Sequence, residues 1–381
     1  MLRTSPFLLL IFLSIICLFS ACKEDITPSV PSPKSPNLKA SINIIQDTFQ
    51  GIPIVLVGSE SYNFIVSFES ELNGESLFFQ LPPSNKSLPT IMLDEEGNEW
   101  DIFGRAIKGP RQGQQLVSMS STMGYWFSFS PFFEKVDIYN APTVEEHSLP
   151  KSERSDWLIP FSNILDGGVG FDGIPALVNP EFEAYDFRAN PENTFFVDDN
   201  NLVVGIRFEE ELKLYPHPIL DWHEIVNDRI GDQSFALVYC PLTGTTTVWD
   251  RDLNGEEVEF GVSGYLHNSN IIPFDRNTES FWSQLYGLSV NGTRQGQKAI
   301  NLPHLETTWS TWKIIADAPQ LVSENTGYSR DYRRYPYGDY RTSNNLLFPI
   351  AYEDNRIPLK ERVHAIMGDR YVKVYRFEDF R

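Results

Sequence analysis

The sequence predicts a mainly β protein: two duplicated β-rich units with hairpins and few short helices. Three observations predict it. Apolar stretches of strand length recur through the chain, as in Ile52 to Val57, Phe64/Val66/Phe68 and Val258/Phe260/Val262, and the last two sets alternate with other residues as half-buried strands do. Asn73-Gly74 and Asn254-Gly255 supply the positive φ values that tight hairpin turns require. The chain also resembles itself. Leu72-Asn73-Gly74-Glu75 returns 181 residues later as Leu253-Asn254-Gly255-Glu256, with Leu56-Val57 matching Leu237-Val238, Phe68 matching Trp249 and Phe79 matching Phe260. Farther on, Gly104 to Gln114 pairs with Gly287 to Gln297, and Trp126 to Phe129 with Trp309 to Trp312.

Taken from the N-terminus, residues 1–21 read as an export signal, with Arg3 before an apolar core that opens at Pro6-Phe7-Leu8-Leu9. Leu18-Phe19-Ser20-Ala21-Cys22 resembles the lipobox cut by bacterial lipoprotein signal peptidase, so Cys22 is the expected lipidation site and the lipid bilayer an expected partner. Lys23, in place of Asp, follows the cysteine. By resemblance to Gram-negative sorting rules this favours the outer membrane, and Lys23-Glu24-Asp25 is similar to the surface-export signal of Bacteroidetes lipoproteins. The protein would then face the periplasm or the cell exterior. Residues 22–45 form a Pro/Ser-rich tether, expected to be extended.

Residues 46–145 form the first β-rich unit, and residues 146–381 contain the second at 231–325. Outside both, Val203 to Ile206 with Lys213-Leu214-Tyr215 echoes Val363 to Ile366 with Lys373-Val374-Tyr375, and each reads as a hairpin. The main helix is expected over His217 to Ile230, where Ile219, His223, Val226 and Ile230 fall at helical spacing. A formal charge of −20 repels nucleic acid and argues against a nucleic-acid partner. Of three cysteines, Cys17 leaves with the signal and Cys22 is acylated, so Cys240 alone stays free and no internal disulfide forms.

Several strings resemble one family. Trp222-His223-Glu224-Ile225-Val226-Asn227-Asp228, Tyr239-Cys240-Pro241-Leu242-Thr243-Gly244-Thr245, Phe260 to Gly264, Asp275 to Ser280 and Gly327 to Tyr340 are similar to the DUF3179 family of uncharacterised proteins. The resemblance covers about the last 210 residues. It implies members with a second cysteine, as Cys-Pro-x-Cys, and some that are selenoproteins, hence redox chemistry at the cysteine. Thr243 stands at the second position here, which rules out a two-cysteine cycle.

Cys240 is therefore the first candidate catalytic residue. Thiol reactivity requires a lowered pKa, supplied by a nearby cation, and the alternative is a small buried hydrophobe. The first unit carries Ser59 at the matching position, so chemistry is expected in the second. His223 is the candidate base or ligand, with a satisfied core histidine as its alternative. A metal site from His217, His223, His267 and Cys240 has no recognised ligand spacing, and no cofactor is expected. In residues 326–341, Arg330, Tyr332, Tyr335, Tyr337 and Tyr340 interleave. They are the candidate contact surface for an unidentified small-molecule, glycan or protein ligand, against the alternative of an ordered loop that packs its tyrosines. No nucleophile elbow, zinc-helix motif, phosphate loop or calcium loop is present. Two expectations compete: a thiol-dependent redox or nucleophilic protein, and a non-enzymatic binding lipoprotein.

Overall fold

The computed structural model describes residues 41–84, 86–190 and 194–381. The export signal, Cys22 and most of the tether lie outside the described residues. Strands hold 40% of the chain and helices 7%, so the protein is mainly β, arranged in several sheets with no closed barrel.

Both stretches matched in sequence form antiparallel meanders. Asn43–Phe49, Ile52–Ser59 and Phe64–Glu69 pair in order, as do Ile225–Ile230, Gln233–Cys240 and Thr245–Asp250. Their registers correspond. Val57 faces Ile44 as Val238 faces Ile225, and Ile54 faces Glu69 as Phe235 faces Asp250. The middle strands are buried on both faces, which explains their unbroken apolar runs Val55-Leu56-Val57 and Ala236-Leu237-Val238. After each meander the chain turns at Asn73-Gly74 or Asn254-Gly255, all four residues at positive φ. Each unit then ties a buried Trp to a buried Asp, Trp100 to Asp94 at 3.1 Å and Trp282 to Asp275 at 3.0 Å.

The two echoing hairpins occupy corresponding places. Leu202–Phe208 with Glu211–Pro216 sits between the antiparallel Leu305–Thr308 and the parallel Gln320–Val322. Arg362–Met367 with Tyr371–Arg376 sits between the antiparallel Ser121–Tyr125 and the parallel Lys135–Ile138. The C-terminal hairpin thus completes a four-stranded sheet with strands from residues 121–138. Each hairpin is pinned by the same polar knot. Lys213 and the Tyr215 hydroxyl donate to Asp228, and Lys373 and the Tyr375 hydroxyl donate to Asp47.

The expected helix over 217–230 stops halfway. The helix is His217–His223, and Ile225–Ile230 is a strand. Glu224 breaks it by adopting φ 58 and ψ −38, a conformation that cannot continue an α-helix. Beyond it, the β-branched Ile225 and Val226 gain more from pairing with the thiol-bearing strand than from helical spacing. No described helix is long and apolar enough to cross a membrane.

Candidate functional site

Cys240 ends the strand Gln233–Cys240 and opens a tight turn, in which the Gly244 N–H donates to the Cys240 carbonyl at 2.8 Å. Gly244 needs its φ of 63, and a Cβ there would lie 3.2 Å from the Tyr125 ring. The thiol is buried, and Sγ donates to the Ser269 carbonyl at 3.6 Å. Burial pushes the Cys240 thiol up, and the Glu224 charge pushes it further; hydrogen bonds from the Thr243 side chain and from the backbone of Thr243 and Ile271 oppose the rise. The expectation of a thiol lowered by a nearby cation is therefore not met: the charged neighbour that acts on Cys240 is a carboxylate.

Glu224 is the residue that sequence reasoning overlooked. It is 7% exposed, its backbone is held at positive φ, and its carbonyl accepts from the Tyr239 N–H at 2.7 Å. A bulky residue at positive φ stores strain, which persists only where the surroundings impose it. Burial pushes its carboxyl up to about 7, partly offset by the Tyr337 hydroxyl, which donates to it at 2.6 Å, while Asp221 adds to the rise. Asp221 in turn pairs with Arg341 at 2.7 and 2.9 Å, and the Arg341 guanidinium lies 4.1 Å from the centre of the Tyr335 ring. Tyr340 closes the other side, donating to the Leu242 carbonyl at 2.8 Å. Tyr335, Tyr337 and Tyr340 therefore pack over the apolar cluster that holds Cys240. Half of the Tyr/Arg loop is a cover for the thiol.

All of these groups except Tyr125 fall within residues 171–381, which match the family model described as a protein of unknown function, DUF3179. The chain belongs to the DUF3179 family. No curated protein and no solved structure matches it. The DUF3179 match spans the thiol turn, Glu224, the tyrosine cover and the C-terminal hairpin, but not the first meander.

Within the DUF3179 region the thiol bonds Ser269, and the other candidate residues take different partners. His223 spends both ring nitrogens elsewhere: Nδ1 is 2.7 Å from the Pro175 carbonyl and Nε2 is 2.8 Å from the Tyr332 hydroxyl. That pattern fits a neutral ring donating from Nδ1 and accepting at Nε2. Burial brings its pKa down to about 4. Tyr332 is buried and also bonds the Thr326 hydroxyl, so it belongs to the His223 group, while Arg330 is exposed and stacks over Trp222 at 5.6 Å. His217 approaches Glu306 at 3.3 Å, and His267 packs against Phe132. Among the described residues no group of three or more His, Cys, Asp or Glu is arranged to hold a metal. The one sequence signal that could have found Glu224 is its place in the family-like Trp222 to Asp228 string.

Proposed function

We propose that this DUF3179 member is a lipid-anchored, thiol-dependent protein in which Cys240 is the nucleophilic or redox centre and Glu224, rather than His223, takes the thiol proton. The observation that carries this reading is Glu224 itself: a buried carboxyl at positive φ with a pKa of about 7, whose charge acts on the Cys240 thiol. A carboxylate poised near neutral pH is matched to proton transfer. In the proposed step, Cys240 Sγ forms a bond to an electrophilic carbon or sulfur and its proton passes to the Glu224 carboxylate. The leaving group departs with its bonding electron pair and takes that proton. The Thr243 and Ile271 donors favour the thiolate as it develops. Tyr337 and Tyr340 exclude water until a small reactant displaces them. Because Tyr332 and Tyr340 turn inward, the thiol reading is preferred to a glycan- or peptide-binding surface. Acylation of Cys22 and residence at the outer membrane rest on the lipobox-like Leu18 to Cys22 string and on Lys23.

The test is the rate of iodoacetamide alkylation of Cys240 across neutral to alkaline pH in the wild type and in Glu224→Gln. A base role predicts that the variant reacts at least about tenfold more slowly at a given pH. Faster alkylation in the variant would show that the carboxylate only opposes ionisation, and would sink the base role.

A further inference from the structure

The turn after Cys240 carries Thr243, and the next strand begins at Thr245. With Asn270 and Gln284 these side chains form a polar group in which no residue is more than 1% exposed. Burying polar groups costs free energy unless they bond one another. The first unit closes the same turn without them. Phe64 stands where Thr245 does, each facing the residue that ends the preceding strand, Ser59 or Cys240. Ile102 stands where Gln284 does, each two residues past the buried tryptophan that bonds an aspartate. Phe64 and Ile102 are buried as well. Apolar side chains thus satisfy the fold at both places, and the polar pair occurs in the unit that carries the thiol.

The protons of the group follow from its backbone contacts. The Val238 and Thr245 carbonyls can only accept, so Gln284 turns its amide nitrogen to them, at 2.7 and 3.1 Å, and its Oε1 away. That Oε1 accepts from Asn270 Nδ2 at 2.6 Å and from the Thr245 hydroxyl at 2.8 Å. Asn270 therefore presents its N–H donors to the group, and Nδ2 also reaches Thr243 Oγ1 at 2.9 Å. Thr243 is an acceptor toward Asn270, so its own proton has two places to go. One is Thr245 Oγ1 at 2.8 Å, and the other is the Cys240 sulfur, to which the Thr243 side chain also hydrogen-bonds. While the thiol keeps its proton, its sulfur is a weak acceptor and the Thr245 oxygen is the better one. A thiolate reverses that order, because a hydrogen bond to a charged acceptor is stronger. When Thr243 turns, Thr245 still has Asn270 Nδ2 at 3.2 Å, and no donor is left unmet.

We propose that the Thr243 hydroxyl is a two-position donor, resting on Thr245 and turning to the Cys240 sulfur as the thiolate forms, with Asn270 and Gln284 as the positioning residues that hold it in reach of both. The turn transfers no proton; the thiol proton still leaves to Glu224, so the inference rests on the thiol reading given above. Thr245 opposes ionisation of Cys240 by competing for the Thr243 proton, and Thr243 favours it.

The test is the pH profile of iodoacetamide alkylation at Cys240, read by peptide mass spectrometry on the mature protein with Thr243→Val, Thr243→Ser or Thr245→Val. Thr243→Val removes the donor and leaves Asn270 its acceptors on Gln284 and Thr245. It should slow alkylation about threefold to tenfold at a given pH, moving the profile up by about half to one pH unit. Thr245→Val removes the competing acceptor and should speed alkylation by about the same factor. Thr243→Ser keeps the donor and should follow the wild type. Side chains that only packed the turn would shift both valine variants in one direction, since each would loosen it. If Thr243→Val fails to fold, the acceleration by Thr245→Val carries the test, at a position where the first unit already holds an apolar residue. The inference is overturned, while Cys240 still reacts, if Thr245→Val is no faster than the wild type, if Thr243→Val is no slower, or if Thr243→Ser is as slow as Thr243→Val. Absence of alkylation in all four proteins would overturn the thiol reading itself.

Discussion

Replacing Glu224 by Gln should change how stability depends on pH. The Glu224 carboxyl is held at about 7 against an ordinary 4.5, so the folded protein retains a proton that the unfolded chain releases. Stability from this group is full below the unfolded pKa and is lost as pH rises through the folded value. Each unit of difference corresponds to ~1.4 kcal/mol, so between pH 5 and pH 8.5 the wild type should lose roughly 2 to 3 kcal/mol that the variant does not. Gln retains an acceptor for the Tyr337 hydroxyl, so the cover stays in place. The assay is urea unfolding at a series of pH values, read by tryptophan fluorescence, with the difference between the two proteins plotted against pH. Titrating groups on which Glu224 does not act are common to both and cancel; Cys240, whose thiol the Glu224 charge pushes up, does not. Parallel curves would refute the reasoning, because they would mean that Glu224 ionises as an ordinary surface carboxyl.

The histidine next to it should titrate with the opposite sign. His223 is brought down to about 4, so its contribution is full above about pH 6.5 and is lost as pH falls through 4; NMR should find its ring neutral at pH 5, and a midpoint near 6.5 would refute its packing against Pro175 and Tyr332. Arg341→Met strands the buried Asp221 carboxylate and should cost about 3–5 kcal/mol in denaturant unfolding, whereas Asp221→Asn with Arg341→Met together should recover much of it. Ending the chain after Glu361 removes the hairpin that pairs with Ser121–Tyr125 and Lys135–Ile138, along with buried Val363, Val372, Val374, Tyr375 and Phe380. At about 1.5–3 kcal/mol for each buried side chain, the loss rivals the stability of a whole domain, so circular dichroism should show no cooperative melt. A folded truncated protein would contradict the role of this hairpin in holding Ser121–Tyr125 and Lys135–Ile138 in one sheet.

Much of the β architecture was legible because its signals are local. β-branched runs and Asn-Gly pairs state strand and turn without reference to distant residues, and the matched strings located strands that pair in the same register. The helix end was not legible. Ile225, Val226 and Ile230 satisfy a helical spacing as well as a strand, and only the neighbouring strand Gln233–Cys240 decides between them. The position of Cys240 could be read from its motif, but its ionisation could not, since that depends on burial under a loop nearly a hundred residues away and on Glu224. His223 stood out on the apolar face for the reason that buried histidines do, and the structure spends it on Pro175 and Tyr332. Glu224 looked like an ordinary polar residue at a helix end. Nothing in the local sequence says that the chain turns it inward at positive φ. The C-terminal hairpin was readable as a hairpin, and its Lys373 and Tyr375 echo Lys213 and Tyr215, yet the pairing of His364 with Met123 has no local signal.

The claim that Glu224 and Cys240 act as one coupled acid–thiol pair is tested most directly by a carbon-13 NMR titration of the Glu224 carboxyl, before and after alkylation of Cys240. A coupled pair gives a midpoint of about 7 in the free protein and a displaced midpoint once the thiol is blocked. A midpoint near the ordinary 4.5, unchanged by alkylation, would contradict it.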